Sequence, residues 1–307
     1  MDLKQLNYFK HVAELGSFSK ASAFLNIAQP ALSRQIKRLE SHLAVPLLFR
    51  NGRGVTTTKA GDMLLVQANL MLDQLNRTYE QIDGLKGDIT GRAVLGIPPT
   101  VAQVLVRPLI NSLRTQYPRI SIQVVEAFSG HVLEWLADGR LDVAVLYNAP
   151  RTRHLSTDQL LVEELVLVSP AADTDGSEDE IALSSLKEIA LILPSRPHGL
   201  RLLVDEVAAK HDIELNVNFE MDALSLIKDL VEDGVGSTIL PYVAVHRETA
   251  SKRMSVRRFK GQPFTRTLVL ATSTQRPMTA ATRTLADFVK AEVKKLHASG
   301  VWLGSTL

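Results

Sequence analysis

The sequence predicts an α/β protein in two parts: a small basic head of short helices and a hairpin, then a long helix leading to a two-lobed α/β body. Three observations carry this. Helical apolar spacing with tight stops recurs three times before residue 45, followed by a hairpin signal. A proline-free stretch with a heptad-like apolar seam covers residues 59 to about 88. From Arg92 onward, strand-like and helix-like runs alternate. The 307 residues are too many for one ordinary domain, and 45% hydrophobic with 22% charged residues suits folded domains rather than a disordered chain. The chain has no Cys, which excludes disulfide frameworks, thiolate metal sites and cysteine nucleophiles.

In the head, Leu6, Phe9 and Ala13 fall at i, i+3 and i+7, with Leu3 and Val12 alongside. Gly16 stops that helix. Either Ser17 or Ser19 caps the next, a short run through Ala21, Ala23, Phe24 and Leu25. Asn26 to Gln29 form a brief connection, and Pro30 sits where a first helical residue tolerates proline. The third helix sets Leu32, Ile36, Leu39 and Leu43 on one side. Ser33, Arg34 and Lys37 face the other way, with Gln29 at the entrance. Gln and Arg can bond bidentately to A and G edges in the major groove, and Lys and Ser suit phosphate oxygens. A merely solvated charged face would share this pattern, but three short helices with a tight second turn argue against it. Val45 to Phe49 is an apolar run, Asn51-Gly52 is a hairpin signal and Val55 to Thr58 is β-prone. Arg50 and Arg53 flank the tip of this wing, which can carry arginine to a neighbouring minor groove. Charge agrees: Met1 to Lys59 holds nine basic residues against three acids, a net +6, so the remainder carries −4 of the overall +2. Such an end suits a polyanion.

The run from Gly16 to Gly61 resembles the winged helix-turn-helix of LysR-type transcriptional regulators. Ala21, Ala23, the Gln29-Pro30-Ala31-Leu32-Ser33 run, Ile36, Leu39, Glu40, Leu43, Leu47-Leu48-Phe49-Arg50, Thr57 and Gly61 carry the match. Length and two-part body extend it over the whole chain. The resemblance implies sequence-specific binding of double-stranded promoter DNA through Gln29, Pro30, Ser33, Arg34, Lys37 and Arg53, with Ser19 on phosphate. It also implies a body like type-2 periplasmic binding proteins, a small-molecule effector and a homo-oligomer, usually a tetramer built as a dimer of dimers. Within the family, the 193–201 segment is similar to the subgroup around the nitrogen assimilation control regulator.

In the long helix, Leu65, Ala68, Leu72, Leu75, Tyr79 and Ile82 step by three and four, widened by Leu64 and Met71. That seam fits either packing on its own chain or dimerisation; its place just after a winged helix favours dimerisation. Gly84, Gly87, Asp88 and Gly91 make a linker. The expected organisation is a DNA-binding head over 1–58, a dimerisation helix and hinge over 59–90, and an effector-binding body over 91–307. Lobe I covers about 91–163 and 268–300, and lobe II about 164–267.

In the body, strands are expected at Ala93–Ile97, Ile120–Val125, Leu141–Leu146, Ala190–Leu193, Asn216–Phe219, Val235–Leu240 and Leu268–Thr272. Helices are expected at about 101–117, from a Ser129 cap through Ala137, and at about 200–210, 224–233 and 280–297. Alternation predicts a mostly parallel sheet, and Asp173 to Glu180 reads as an acidic surface loop. Two lobes joined by two crossing strands leave a cleft at the strand carboxyl ends, where small ligands bind. Thr100, Ser129, Tyr147, Ser195, His198 and Arg201 are the candidate effector contacts, because they follow strands or sit at helix starts, where backbone N–H groups favour anions. A small polar or anionic effector is expected. Arg201 either clamps it or only salt-bridges Asp205 at i, i+4.

An alternative is a winged-helix protein fused to a small-molecule-modifying enzyme. No Walker A loop, strand-following G-x-G-x-x-G, H-E-x-x-H or G-x-S-x-G stands in the sequence, so no enzyme is expected. His131, His154 and His198 lack metal spacing, and neither metal nor cofactor is expected. No run suits a signal sequence or a membrane span, so the expected site of action is the cytoplasm, with no membrane partner.

Overall fold

Helix α1 (Leu3–Leu15) starts at a capping box: the Asp2 side chain accepts from the Gln5 N–H at 2.7 Å, and the Gln5 side chain accepts from the Asp2 N–H at 3.2 Å. It ends at Gly16, whose φ of 59° is left-handed and suits glycine. The computed structural model describes residues 1–51, 54–84, 89–150, 152–171, 179–261 and 264–305. The chain divides into two units, Met1–Asp88 and Ile89–Leu307.

In the first unit, α2 (Phe18–Phe24) is capped by Ser17, not Ser19: the Ser17 hydroxyl accepts from the Lys20 N–H at 3.3 Å. α3 (Gln29–Leu43) has Ala28 at its N-cap. Gln29 is therefore the first helical residue rather than a loop residue, and Pro30 is the second, still where no ladder N–H is needed. Leu32, Ile36 and Leu39 have no exposed surface and join Phe9, Val12 and Phe18 in the head core. Strands β1 (Leu48–Asn51) and β2 (Gly54–Thr57) pair antiparallel. The apolar run expected from Val45 pairs only from Leu48, because Glu40 Oε1 takes the N–H groups of Leu47 and Leu48 at 2.9 and 3.3 Å. Gly52 and Arg53 lie outside the described residues. Helix α4 (Lys59–Gly84) starts tight against the wing: a Cβ on Gly61 would lie 2.1 Å from the Leu47 carbonyl oxygen. Leu64 and Leu65 pack on the head core, while Met71, Tyr79 and Ile82 are exposed. The start of the expected seam is thus used within the chain. Gly87 and Asp88 of the expected linker lie outside the described residues.

The second unit opens with β3 (Gly91–Ile97), α5 (Pro99–Gln116), β4 (Ile120–Glu126), α6 (Ser129–Ala137) and β5 (Val143–Tyr147). β6 (Leu155–Pro170) and β7 (Glu180–Ile181) follow, then a 3-10 helix (Leu183–Glu188), β8 (Leu191–Leu193), α7 (Gly199–Lys210), β9 (Val217–Glu220) and α8 (Leu224–Glu232). β10 (Thr238–Pro241), α9 (His246–Ala250), β11 (Met254–Phe259), β12 (Thr265–Ser273) and α10 (Ala280–Ala298) complete it. The main sheet runs β4-β3-β5-β12-β6-β11-β7, with β10 also on β6. β4, β3 and β5 form a parallel set, and β8 and β9 pair parallel in a separate two-stranded sheet in lobe II. β12 is antiparallel to β5 and β6, and β10 and β11 are antiparallel to β6, so the sheet is mixed. The cause is β6, sixteen residues long: its first half pairs with β12 in lobe I, its second with β10 and β11 in lobe II. The expected lobe change at Glu164 falls inside this one strand. Two further expectations give way. Glu180 belongs to β7, paired with Arg258, rather than to the acidic loop, of which residues 173–178 lie outside the described residues. Ser129 does not cap α6; Phe128 does so by position, and Ser129 Oγ accepts from the Tyr147 N–H at 3.3 Å.

Each lobe has its own core. Lobe I packs α5 and α10 residues such as Leu105, Leu109, Leu285 and Val289 against Leu95, Ile97, Val145 and Leu268. Lobe II packs Leu191, Leu193, Val204, Ile227 and Ile239 around Leu165 and Leu167.

Candidate functional site

On the head, Gln29, Pro30, Arg34 and Lys37 are exposed along one side of α3, and Ser33 is half-buried. The buried Leu32, Ile36 and Leu39 fix the helix from behind. Ser19 joins the same entrance: its hydroxyl donates to Gln29 Oε1 at 3.0 Å, which holds the amide and leaves its NH2 outward. Ser33 Oγ accepts from Arg50 Nη1 at 3.3 Å, and the Arg50 guanidinium stacks 4.3 Å from the Phe18 ring centroid. Among the described residues no carboxylate pairs with Arg34 or Lys37. Arg53 lies outside the described residues.

In the body, a cavity of about 700 Å³ lies between the lobes. Five of the six expected contacts line it: Thr100, Ser129, Tyr147, Ser195 and His198. Thr100 and Ser129 stand at the starts of α5 and α6, neither of which has a side-chain cap. The Tyr147 hydroxyl lies 3.3 Å from Thr100 Oγ1, and burial pushes its pKa up out of the ordinary phenol range. Ser195 gives both its N–H and its hydroxyl to Asp222, at 3.0 and 2.5 Å, which holds that carboxyl below its usual range. His198 caps α7, its Nδ1 accepting from the Leu200 N–H at 3.1 Å. Burial, and then the nearby Arg266 charge, lower its pKa, so the ring is neutral at neutral pH. The ring also meets Phe128 edge-on across the cleft, with centroids 4.5 Å apart.

Arg201 is the correction. It is buried and absent from the cavity lining; Nε bonds Asp205 at 2.9 Å, and Nη1 bonds Glu220 at 2.5 Å and the Pro194 carbonyl at 3.1 Å. The i, i+4 account of this residue is the one the geometry takes, because the side chain folds back along α7 onto Asp205.

The cation in the cleft is instead Arg266, which sequence reading missed. It stands on β12 opposite Glu163 of β6, only 5% exposed, and its Nε bonds Glu163 Oε1 at 2.5 Å. Its guanidinium lies 3.5 Å from the Tyr147 ring centroid. The other Glu163 oxygen accepts from the buried Trp302 indole at 2.9 Å. A signal was present: Arg266 shares its strand face with Leu268 and Leu270, and a charge on a core-facing row needs a buried partner. Asp222, Glu134 and Asn148 of the lining were also missed.

The head matches the family described as "Bacterial regulatory helix-turn-helix protein, lysR family" over residues 3–62, and the body matches "LysR substrate binding domain" over residues 86–294. The chain belongs to the LysR family of transcriptional regulators. This LysR-type chain is 29% identical to the HTH-type transcriptional regulator BbuR of Bordetella bronchiseptica, over 99% of this chain and 94% of that one. It is 30% identical to the nitrogen assimilation regulatory protein nac of Klebsiella aerogenes, over 78% of each. Identity to nac is close to that with BbuR, so it supports the family and not a subgroup. In fold it is similar to full-length CbnR complexed with its target DNA, with a TM-score of 0.72 and 20% identity over 96% of this chain and 99% of that one. As a member of this family, the chain is a DNA-binding regulator with an effector-binding domain, and the alternative of a fused modifying enzyme has no support. No helix among the described residues is long and apolar enough to cross a membrane. No cluster of potential metal ligands occurs among them.

Proposed function

We propose that this LysR-type regulator reads promoter DNA with Gln29, Pro30, Ser33, Arg34 and Lys37 of α3, aided by Arg53, with Ser19 at the phosphates. The observation that carries this is the exposed cationic face of α3, free of carboxylate partners among the described residues. Polyanion binding relieves that uncompensated charge and releases counterions. In the body, Thr100, Ser129, Tyr147, Ser195 and His198 gather the effector, and Arg201 braces the wall behind them. The domain limits follow the elements: head 1–58, pairing helix and hinge 59–90, effector domain 91–307. The exposed Tyr79 and Ile82 on α4 support pairing of two copies along the end of that helix, with tetramers as dimers of dimers. The protein acts in the cytoplasm as a regulator and not as an enzyme.

Genomic footprinting followed by anisotropy titration tests the DNA reading. Arg34→Ala should weaken the specific site by about 1–3 kcal/mol and relax preference at one base pair. Lys37→Ala should weaken all sequences alike and flatten the salt dependence by about one counterion. Equal affinity of the unaltered protein for specific and random duplex would refute it.

A further inference from the structure

Arg266 is nine-tenths buried and lines the cleft, and its Nη2 has no hydrogen-bond partner among the described residues. Glu163 already receives Arg266 Nε at one oxygen and the Trp302 indole at the other, and Tyr147 meets the flat face of the guanidinium. A buried guanidinium with an unpaired N–H, on a side chain that lines a cavity, favours a ligand that brings an acceptor to it. Its surroundings favour an anion: α5 and α6 begin there without side-chain caps, and the hydroxyls of Thr100 and Ser129 stand beside their first turns.

The rest of the lining limits what is attached to that anion. Among the described residues Arg266 is the only Lys or Arg on the cavity wall, and the carboxylates there are Asp222 and Glu134. A second anionic group would face those carboxylates. Lobe II offers Leu200, Leu203, Leu224, Ile227 and Leu240, an aliphatic stretch of wall that suits an apolar body.

We propose that the cleft selects a monocarboxylate with an apolar body, its carboxylate on the Arg266 guanidinium and its body against the aliphatic stretch of lobe II. This rests on the cleft being the effector site, and the experiment separates the two claims. Titration calorimetry on the full chain uses four variations on one phenylpropanoyl core: 3-phenylpropanoate, its primary amide, phenylsuccinate with a second carboxylate, and phenylalanine with an added ammonium. The monocarboxylate should bind, and each of the others should be weaker by about tenfold or more. Arg266→Gln should weaken 3-phenylpropanoate by about tenfold or more, with Arg266→Lys losing less. Should Arg266→Gln fail to fold, the ligand series on the unaltered protein still decides. A second variant addresses the cleft. Gly130 lines the cavity and a Cβ on it meets nothing within 4 Å, so Gly130→Leu clashes with no neighbour at its Cβ and adds bulk to the cavity wall, where it should abolish binding. Binding of the amide, the dianion or the zwitterion as tightly as the monocarboxylate, yet lost in Gly130→Leu, would overturn the ligand class and keep the cleft. Binding unaffected by Gly130→Leu would overturn both. No binding of 3-phenylpropanoate at about 10 mM would overturn the ligand class.

Discussion

On α3 of the head, Arg34 and Lys37 stand in solvent with no carboxylate beside them among the described residues. In the body, the mostly buried Arg201, Arg266 and Lys228 each lie 2.5 to 2.7 Å from a carboxylate oxygen. The same residue types therefore do different work. Exposed and unpaired, a cation adds repulsion that only an outside anion relieves, so it marks a binding face. Buried and paired, it braces strands and helices, and its removal strands a carboxylate in low dielectric. Arg266 combines both conditions: Nε is paired inside the fold, Nη2 has no partner among the described residues, and the side chain lines the cleft.

The largest effect expected from this contrast is at Glu163, which is 1% exposed and joins β12 to Trp302. Glu163→Ala leaves the Arg266 charge and the Trp302 N–H without their partner. It should lower the stability of the body's urea transition by about 3–5 kcal/mol, whereas truncating an exposed cation such as Arg34 should change the head's stability by about 0.5 kcal/mol or less. A loss below about 1 kcal/mol for Glu163→Ala would mean that the pair is solvated and that the contrast between the units does not hold.

The contrast also explains what could be read from the chain. The head's face needs only local periodicity: Leu32, Ile36 and Leu39 fix which side of α3 is inward, so Arg34 and Lys37 must point out. The cleft residues at the starts of α5 and α6 were legible for a similar reason, since each follows a strand directly. Arg266 shows only as a charge on an apolar row; its role comes from a cross-strand pairing with Glu163, 103 positions away, which no local pattern records. Arg201 misled in the opposite sense. The dense 195–201 cluster suggests a ligand clamp, but Asp205 one turn on and Glu220 from the next strand claim the guanidinium. The mixed sheet was hidden likewise, since the sixteen-residue β6 serves both lobes while its sequence changes character only at Glu163 and Glu164.

Arg201→Ala sharpens the distinction between the two arginines. Asp205 keeps its bond from Arg196 Nε at 2.7 Å, and Glu220 is half-exposed, so less is stranded than at Glu163. The expected loss is about 1.5–3 kcal/mol of body stability, typical of hydrogen bonds to a charged group. Cleft ligand affinity should fall less in Arg201→Ala than in Arg266→Gln, when both are measured by calorimetry under conditions where the variants are folded. The reverse order would return Arg201 to the binding site.

The smallest expected effect is the pH response of His198, a cleft residue whose charge is set first by burial. Its pKa is lowered by burial and then by Arg266, with Asp222 pulling the other way, and Phe128 covers the ring edge-on. A lowered pKa means that the fold favours the neutral ring. The stability from this preference is complete above the ordinary value of 6.5 and is lost as pH falls below it through the depressed value. Protonation also turns Nδ1 from acceptor to donor and so removes the cap on the Leu200 N–H. Asp205 and Asp222 are held below their ordinary 3.8, so their losses on acidification come at lower pH and remain distinct. Asn caps a helix start without titrating. His198→Asn should therefore keep α7 capped and flatten the body's stability as pH falls below 6.5, while leaving the steeper loss in the carboxylate range in place. Urea midpoints across that range would show it. A slope unchanged by the substitution would mean that His198 titrates like a solvated imidazole, and that neither burial nor Arg266 governs its charge.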